Sequence, residues 1–387
     1  MSLWRLIPFF LLVTLVTAAW HGYLWARLVR DPALGDPWTR ILTWLFVVLF
    51  CLVPIGMIAT RTLPRTVHGP LAWVVFGWMG LGFVLLFTLI PVDVVKAVAL
   101  RARPVDRERR QALARILAAG VGLVGASLSG LGVAQALSRV GVKKVRVPLA
   151  KLPPELSGYV IVQLTDVHVG PTIGRKFLEE IVATVNAESP DLVVITGDLV
   201  DGSVAELGPL MAPLAELRAK DGVFFVTGNH EYYSGVDEWL AFLPTLGIRP
   251  LRNERVPLRE GAAGGGLDLA GVDDHSAHRF GAGHGTDLEK ALSGRDTSRA
   301  LVLLAHQPKT FLRAVEHGID LQLSGHTHGG QIWPWGYAVR LDQPHVAGLS
   351  KEGASYIYVS RGTGYWGPPM RVGAPAEVTR IELGASA

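Results

Sequence analysis

Five short clusters in the second half of the chain carry side chains that bind cations without using thiolate. They are Asp166-Val167-His168, Gly197-Asp198-Leu199-Val200-Asp201, Gly228-Asn229-His230-Glu231, Ala305-His306 and Gly325-His326-Thr327-His328-Gly329-Gly330-Gln331. Carboxylate, amide and imidazole donors suit Mn, Fe or Zn in a reactive site better than a structural zinc. Asp166, His168, Asp198, Asn229, His306, His326 and His328 supply seven donors. That is too many for one ion and enough for two, if one carboxylate is shared. Two divalent ions about 3.5–4 Å apart form a clamp for hydrolysis at phosphorus, activating a bridging water and neutralising phosphoryl oxygens. His230 neighbours one of the donors, and an imidazole with an ordinary pKa near ~6.5 can donate a proton there. Its other reading is a hydrogen-bonder to a donor. Asp201 reads as a residue that orients a donor or caps the next helix. Gly197, Gly228 and Gly325 let the backbone turn sharply and keep Cβ groups out of the site.

Donors this far apart in sequence need a scaffold that returns each one to the same edge. Short β-branched runs predict strands over 160–164, 192–195, 223–226, 267–271, 301–304, 321–323, 357–359 and 378–383. Amphipathic stretches predict helices over 175–187, 204–219, 236–246 and 310–317. This alternation gives a layered α/β domain. Each of the five clusters follows a strand, at the carboxyl edge where open α/β sheets bind ligands. The Gly-rich run 261–266 lacks a strand-to-helix Gly-Lys pattern, so it is a flexible loop rather than a phosphate cradle.

The clusters, in this order, resemble those of the calcineurin-like metallophosphoesterases. The resemblance covers about 156–383. Gly-His-Thr-His-Gly-Gly-Gln, with the later Ser360-Arg361-Gly362 and Ala374-Pro375-Ala376-Glu377-Val378, is similar to a membrane-anchored bacterial branch of that family. The resemblance implies a four-layer sandwich, two mixed sheets flanked by helices. It implies a first metal on Asp166, His168 and His328, a second on Asn229, His306 and His326, and Asp198 as the bridge. It also implies that His230 is not a ligand, but protonates the leaving oxygen or stabilises charge on the phosphoryl group.

The first half of the chain is different in kind. Apolar runs over 6–25, 41–59, 71–92 and 113–137 are each close to the ~20 residues that cross a bilayer as a helix. Trp20, Trp25, Trp38 and Trp73 sit near run ends, as an interfacial belt places them. The expected architecture is therefore an all-α transmembrane region of four helices over 1–146, followed by the α/β metallophosphoesterase domain over 147–387. Lys96, Arg101, Arg103, Arg107, Arg109, Arg110 and Arg115 share a side with Arg27, Arg30 and Arg40. Arg5, Arg61, Arg65, Arg139, Lys143, Lys144 and Arg146 lie opposite. The positive-inside rule makes the first group cytoplasmic and the second domain extracytoplasmic. Arg109-Arg110 before the weakly hydrophobic fourth run is similar to an internal twin-arginine export signal, with Ala134-Gln135-Ala136 as a processing site; plain positive-inside punctuation explains it equally well.

Composition agrees. Hydrophobic residues are 49% of the 387 and charged residues 18%, below the roughly 25% charge of soluble domains. Residues 1–150 hold 17 Lys/Arg and 5 Asp/Glu, and the rest hold 20 and 28. The pI near 9.2 thus belongs to the membrane half, and a nucleic-acid partner is excluded because the folded domain is acidic. Cys51 is the single cysteine, so no disulfide framework exists.

The expected activity is a metal-dependent phosphodiesterase or phosphomonoesterase acting on a lipid or cell-envelope substrate, with a metal-bridging hydroxide attacking phosphorus. The alternatives are a hydrolase of the UDP-2,3-diacylglucosamine type from lipid A synthesis, which requires a cytoplasmic domain, and a non-catalytic membrane scaffold. His275 and His278 read either as lining a substrate cleft or as solvated loop residues. His21, His68 and His317 are structural by default. Trp333, Trp335, Tyr365 and Trp366 follow key clusters and are expected to pack within their loops, with contact to substrate or membrane as the other reading.

Overall fold

A computed structural model describes residues 3–102, 106–260 and 266–385. Arg103 and residues 261–265, read above as part of a basic loop and of a flexible loop, lie outside the described residues. The chain divides into two compact units. One holds residues 1–135 with 367–372, and the other holds 136–366 with 373–387.

The first unit is helical. Its helices are α1 (Leu3–Trp25), α2 (Trp38–Thr62), α3 (Arg65–Ala102) and α4 (Arg107–Ala136). Among the described residues, three helices are long and apolar enough to cross a membrane: Trp38–Thr60, Arg65–Ala99 and Arg107–Ala136. The count of spans therefore stands at three where the sequence led us to expect four. Small residues bring the helices close, as in membrane bundles. Gly82 faces the Trp20 ring, Gly56 faces Val75 and Gly125 faces Leu85. The third helix runs ten residues beyond its expected end and carries Asp93. Asp93 is paired: it accepts from Arg27 Nε at 2.6 Å and from the Tyr23 hydroxyl at 2.8 Å. His21 is structural as expected, joined through Nδ1 to the Thr17 carbonyl and accepting from Trp78 Nε1.

The second unit is built on two six-stranded mixed sheets. The strands are β1 (Gly141–Leu149), β2 (Tyr159–Leu164), β3 (Leu192–Thr196), β4 (Val223–Val226), β5 (Ile248–Pro250), β6 (Glu254–Leu258), β7 (Leu267–Gly271), β8 (Ala300–Leu304), β9 (Leu321–Ser324), β10 (Gly348–Glu352), β11 (Ser355–Val359) and β12 (Glu377–Ala385). The orders are β1-β12-β2-β3-β4-β5 and β10-β11-β9-β8-β7-β6. Side chains alternate between faces along each strand. Ile161, Val194, Leu269, Val302, Leu323 and Ile381 fill the space between the sheets. Val162, Leu164, Val193 and Ile195 face outward onto Leu178, Ile181 and Val185 of α5 (Arg175–Ala187). Leu301 and Leu303 likewise face Leu288 and Phe311. The result is helix, sheet, sheet, helix.

The eight expected strands are all present. The four not foreseen, β1, β5, β6 and β10, are each short, polar or Pro-containing. β1, β5, β6 and β10 are the outermost strands of the two sheets. Edge strands face water and so lack the continuous apolar run that marks a central strand. Helix α5 has the expected bounds. The expected helix over 204–219 instead breaks into α6 (Val204–Leu207) and two 3-10 turns, 208–210 and 212–216. Pro209 and Pro213 remove amide donors and clash with the preceding turn.

Candidate metal centre

Strands β2, β3 and β4 run parallel, as do β7, β8 and β9. Their carboxyl ends therefore deliver the five clusters to one edge of each sheet. Hydrogen bonds tie the two edges together. Gln163 Nε2 donates to the Ser324 carbonyl at 3.0 Å, the His306 ring meets the Thr196 carbonyl through Nδ1 at 2.7 Å, and the His326 N–H donates to Asp166 Oδ1 at 2.9 Å.

Three overlapping groups of donors converge there. Asp166, His168 and His328 form the first, Asp198, His306 and His326 the second, and His168, Asp198 and His230 a third that shares a residue with each. In the first, His168 Nε2 lies 3.1 Å from His328 Nε2, and Asp166 Oδ1 lies 3.4 Å from the latter. In the second, His306 Nε2 lies 3.1 Å from Asp198 Oδ2 and 3.2 Å from His326 Nδ1. Asp198 Oδ2 is also 3.9 Å from both His168 and His230, so this carboxylate stands between the groups.

The surroundings fix which ring nitrogens are bare. A carbonyl only accepts, so His306 carries its proton on Nδ1, facing Thr196. A carboxylate only accepts, so His168 and His230 each carry a proton on Nδ1, both facing Asp201 Oδ1, at 3.1 and 2.6 Å. The Nε2 atoms of His168 and His306 then point lone pairs at their neighbours. This is the arrangement that a hydrogen-bonded partner imposes on a metal-binding imidazole. Asn229 makes the same point. Its Oδ1 is buried with no hydrogen-bond partner, and such a group is costly unless something positive meets it. The donor set and this orphaned oxygen fit divalent cations.

Charge is tuned accordingly. Burial would raise the Asp198 carboxyl, but His306 and His230 hold it well below the ordinary range. Burial would lower His306, but the Asp198 charge raises it well above its ordinary value. His230 shows the same balance. Burial opposes its charge, but Asp198 and the hydrogen bond that His230 donates to Asp201 push it up to about 9. Burial, followed by repulsion from His306, pushes His326 down to about 4.

The backbone carries strain at the same residues. Asp166, His168, Asp198, His326 and His328 all have φ between 50° and 71°. Among the described residues they are five of the ten non-glycine residues with positive φ, and left-handed non-glycine residues gather at functional sites. The glycines behave as expected. A Cβ on Gly325 would strike Thr165 Oγ1 and Asp166 Oδ2, one on Gly228 would strike Asp198, and one on Gly197 would lie 2.7 Å from His306 Nδ1.

Glu231 was missed by the donor count. It is buried, and its carboxylate accepts from the N–H groups of Gly228, Asp198 and Leu199 at 2.6, 3.0 and 2.7 Å. A glutamate three residues after an N-cap, reaching back to the N-cap N–H, is half of a capping box, and Gly228-Asn229-His230-Glu231 displays that half. Glu231→Gln turns an N–H toward one or more of these amides and frees the loop that carries Asp198. The expected result is a loss of metal affinity of about 10–100-fold, read by titration of the metal-free protein. Affinity within about twofold of native would mean that the loop holds without Glu231.

Other residues fall elsewhere. A cavity of about 500 Å³ is lined by Asn253, His275, His278, His284, Lys290 and Arg313, and by none of the seven donors. His317 lies 3.8 Å from Glu289 and His345 3.3 Å from Glu352. Tyr365 is buried, as expected for loop packing, but Trp333, Trp335 and Trp366 are exposed. An aromatic near a motif gives no sign in sequence of which way it points.

Comparison with known proteins gives a consistent picture. The description "Calcineurin-like phosphoesterase" matches residues 159–330. A bovine transmembrane protein with a metallophosphoesterase domain is 44% identical over 290 residues, covering 73% of this chain and 65% of that protein. An uncharacterized metallophosphoesterase of Helicobacter pylori is 42% identical, covering 71% of this chain and 72% of the relative. One from Campylobacter jejuni is 33% identical over 378 residues, covering 97% and 98%.

Proposed function

We propose that this chain, which belongs to the calcineurin-like phosphoesterase family, is a membrane-anchored hydrolase of lipid or cell-envelope phosphomonoesters or phosphodiesters. Family membership itself implies a metal-dependent phosphoester hydrolase. The observation that carries the finer reading is the position of Asp198 between two donor groups. In this reading Asp166, His168 and His328 would hold one divalent ion, Asn229, His306 and His326 would hold a second, and Asp198 would be shared. Mn, Fe and Zn all suit these donors. When bound, two such ions supply activated water and neutralise charge on the phosphoryl oxygens.

The protein's own groups do the rest. His230 has its Nδ1–H fixed on Asp201, which turns Nε2 toward the pocket that holds Asp198. From there it donates a proton to the departing oxygen. Asp201 is a positioning residue, because it orients His168 and His230 together. Glu231 holds the loop that presents Asp198.

The anchor is the helical unit, with three candidate spans. We include α1 as a fourth span on the strength of its apolar sequence, and place the division between anchor and catalytic domain, expected near residue 147, before β1, which begins at Gly141 and belongs to the catalytic sheet. The basic loops favour an extracytoplasmic catalytic domain.

Two experiments test the reading. Full-length protein in detergent is expected to hydrolyse p-nitrophenyl phosphate or bis(p-nitrophenyl) phosphate, to lose that activity on chelation, and to regain it with Mn. Absence of hydrolysis in protein loaded with two ions per chain would overturn it. Protease added to intact spheroplasts is expected to cut within 151–387. Protection until lysis would reverse the orientation and favour a cytoplasmic, UDP-linked acyl-sugar substrate.

A further inference from the structure

Three aromatic side chains stand open to solvent beside the metal centre. Trp366 packs against His230 with ring centroids 5.4 Å apart, and Tyr233 does so at 5.3 Å. Both rings meet the imidazole edge-on, at 74° and 70°. Phe280 extends the surface, its ring 5.6 Å from that of Tyr233. These side chains remain 54%, 64% and 42% exposed for Trp366, Tyr233 and Phe280. His230 itself has a side chain only 14% exposed, with Trp366 and Tyr233 both packed on it.

The aromatic surface is held in place by the donor motif. Gln331 Nε2 donates to the Trp366 carbonyl at 2.9 Å, and the Trp366 N–H donates to Gln331 Oε1 at 3.0 Å. Gln331 closes the Gly-His-Thr-His-Gly-Gly-Gln segment that carries His326 and His328. The two bonds also engage both polar atoms of the Gln331 amide. Trp366 is thus fixed relative to the donors, although its ring faces water. Exposed aromatic rings grouped beside a reactive site mark a place where apolar surface is to be covered.

We propose that Tyr233, Phe280 and Trp366 form a subsite for the apolar alkyl or acyl part of the phosphoester, on the His230 side of the metal centre. The inference rests on the phosphoesterase reading above, and names the chemical class that the same site accepts. The group that leaves from phosphorus passes His230, and His230 is flanked by these rings. An alkyl chain leaving by that route lies on aromatic surface. A polyhydroxylated group there would forfeit hydrogen bonds to water, because the faces of the rings return none of comparable strength.

The test separates binding from turnover. Hexylphosphonate, 2,3-dihydroxypropylphosphonate and adenosine 5′-monophosphate are titrated calorimetrically into full-length, metal-loaded protein in detergent below the probes' aggregation limits. Hexylphosphonate is expected to bind at least about tenfold tighter than its dihydroxypropyl counterpart. Trp366→Ala and Tyr233→Ala should each shrink that ratio at least about threefold, and Trp366→Phe should restore it. Metal content measured alongside reports whether each variant keeps the centre. Equal affinities for the two phosphonates, or a preference that survives the Trp366→Ala/Tyr233→Ala double variant, would overturn the subsite. A nucleotide that binds tightest and loses its advantage in Trp366→Ala would assign the rings to a stacked base instead, and overturn the alkyl assignment. The phosphonates are not hydrolysed, so failure of turnover on nitrophenyl esters would count against the phosphoesterase reading alone.

Discussion

Asp198→Asn is expected to lower kcat by on the order of 10³-fold or more, and to reduce bound metal from two ions per chain to one or fewer. The substitution is nearly isosteric. Asn tolerates the left-handed backbone that Asp198 adopts, with φ 52°. Its Oδ1 can still accept from the His230 N–H, as the carboxylate does at 2.9 Å. What it loses is the negative charge and the second acceptor. An amide NH₂ then faces His306 Nε2, 3.1 Å away, and the nitrogens of His168 and His230 at 3.9 Å. Two cations cannot share an amide as they share a carboxylate. Metal analysis together with initial rates on a nitrophenyl ester reads both quantities, and an unchanged melting temperature in the metal-free state shows that the fold survives. Near-native turnover in this variant would sink the two-metal reading.

His230→Ala should separate chemistry from metal binding. We expect kcat to fall about 10²–10⁴-fold, the range for loss of a positioned proton donor, with both ions retained. The difference from Asp198 follows from the ligand assignment, which gives the second ion to Asn229 rather than His230. His230 and His168 share one geometry, Nδ1 on Asp201 and Nε2 3.9 Å from Asp198, so metal content decides between the two roles. The oxygen left orphaned beside it belongs to Asn229. A fall in metal content equal to that in Asp198→Asn would place His230 among the ligands instead. Leaving-group dependence sharpens the result. A nitrophenolate needs little protonation as it departs, so its hydrolysis should suffer less than that of an alkyl ester.

Much of the site is legible in the sequence because its donors come in short motifs after apolar runs. Strands β2, β3, β4, β8 and β9 are buried on both faces. Such strands read as continuous apolar stretches, and the polar residue that ends each one stands out. The edge strands carry no such contrast. β1 contains Lys143, Lys144 and Arg146 and pairs along its whole length with β12, but nothing local tells a charged edge strand from a linker. Glu231 escaped attention for a different reason. Its role is to accept backbone N–H groups from a loop about thirty residues earlier, and side-chain identity alone does not report such a partner. The direction of Trp366 was equally hidden, because it depends on a pair of hydrogen bonds to Gln331 across 35 residues.

The left-handed backbone at Asp166, His168, Asp198, His326 and His328 limits how this site can decay over evolutionary time. Asp, Asn and His enter that conformation far more readily than β-branched residues do. Two selections therefore draw on the same small alphabet, one for cation binding and one for the shape of the turn. A descendant freed from catalysis would drift first to Asn or Gly at these positions, which keep the turn and discard the charge. Drift to Val or Ile would be purged by misfolding before any question of activity arose. An inactive offshoot of this lineage would thus look nearly intact, differing from its working parent by a handful of Asp-to-Asn and His-to-Asn exchanges.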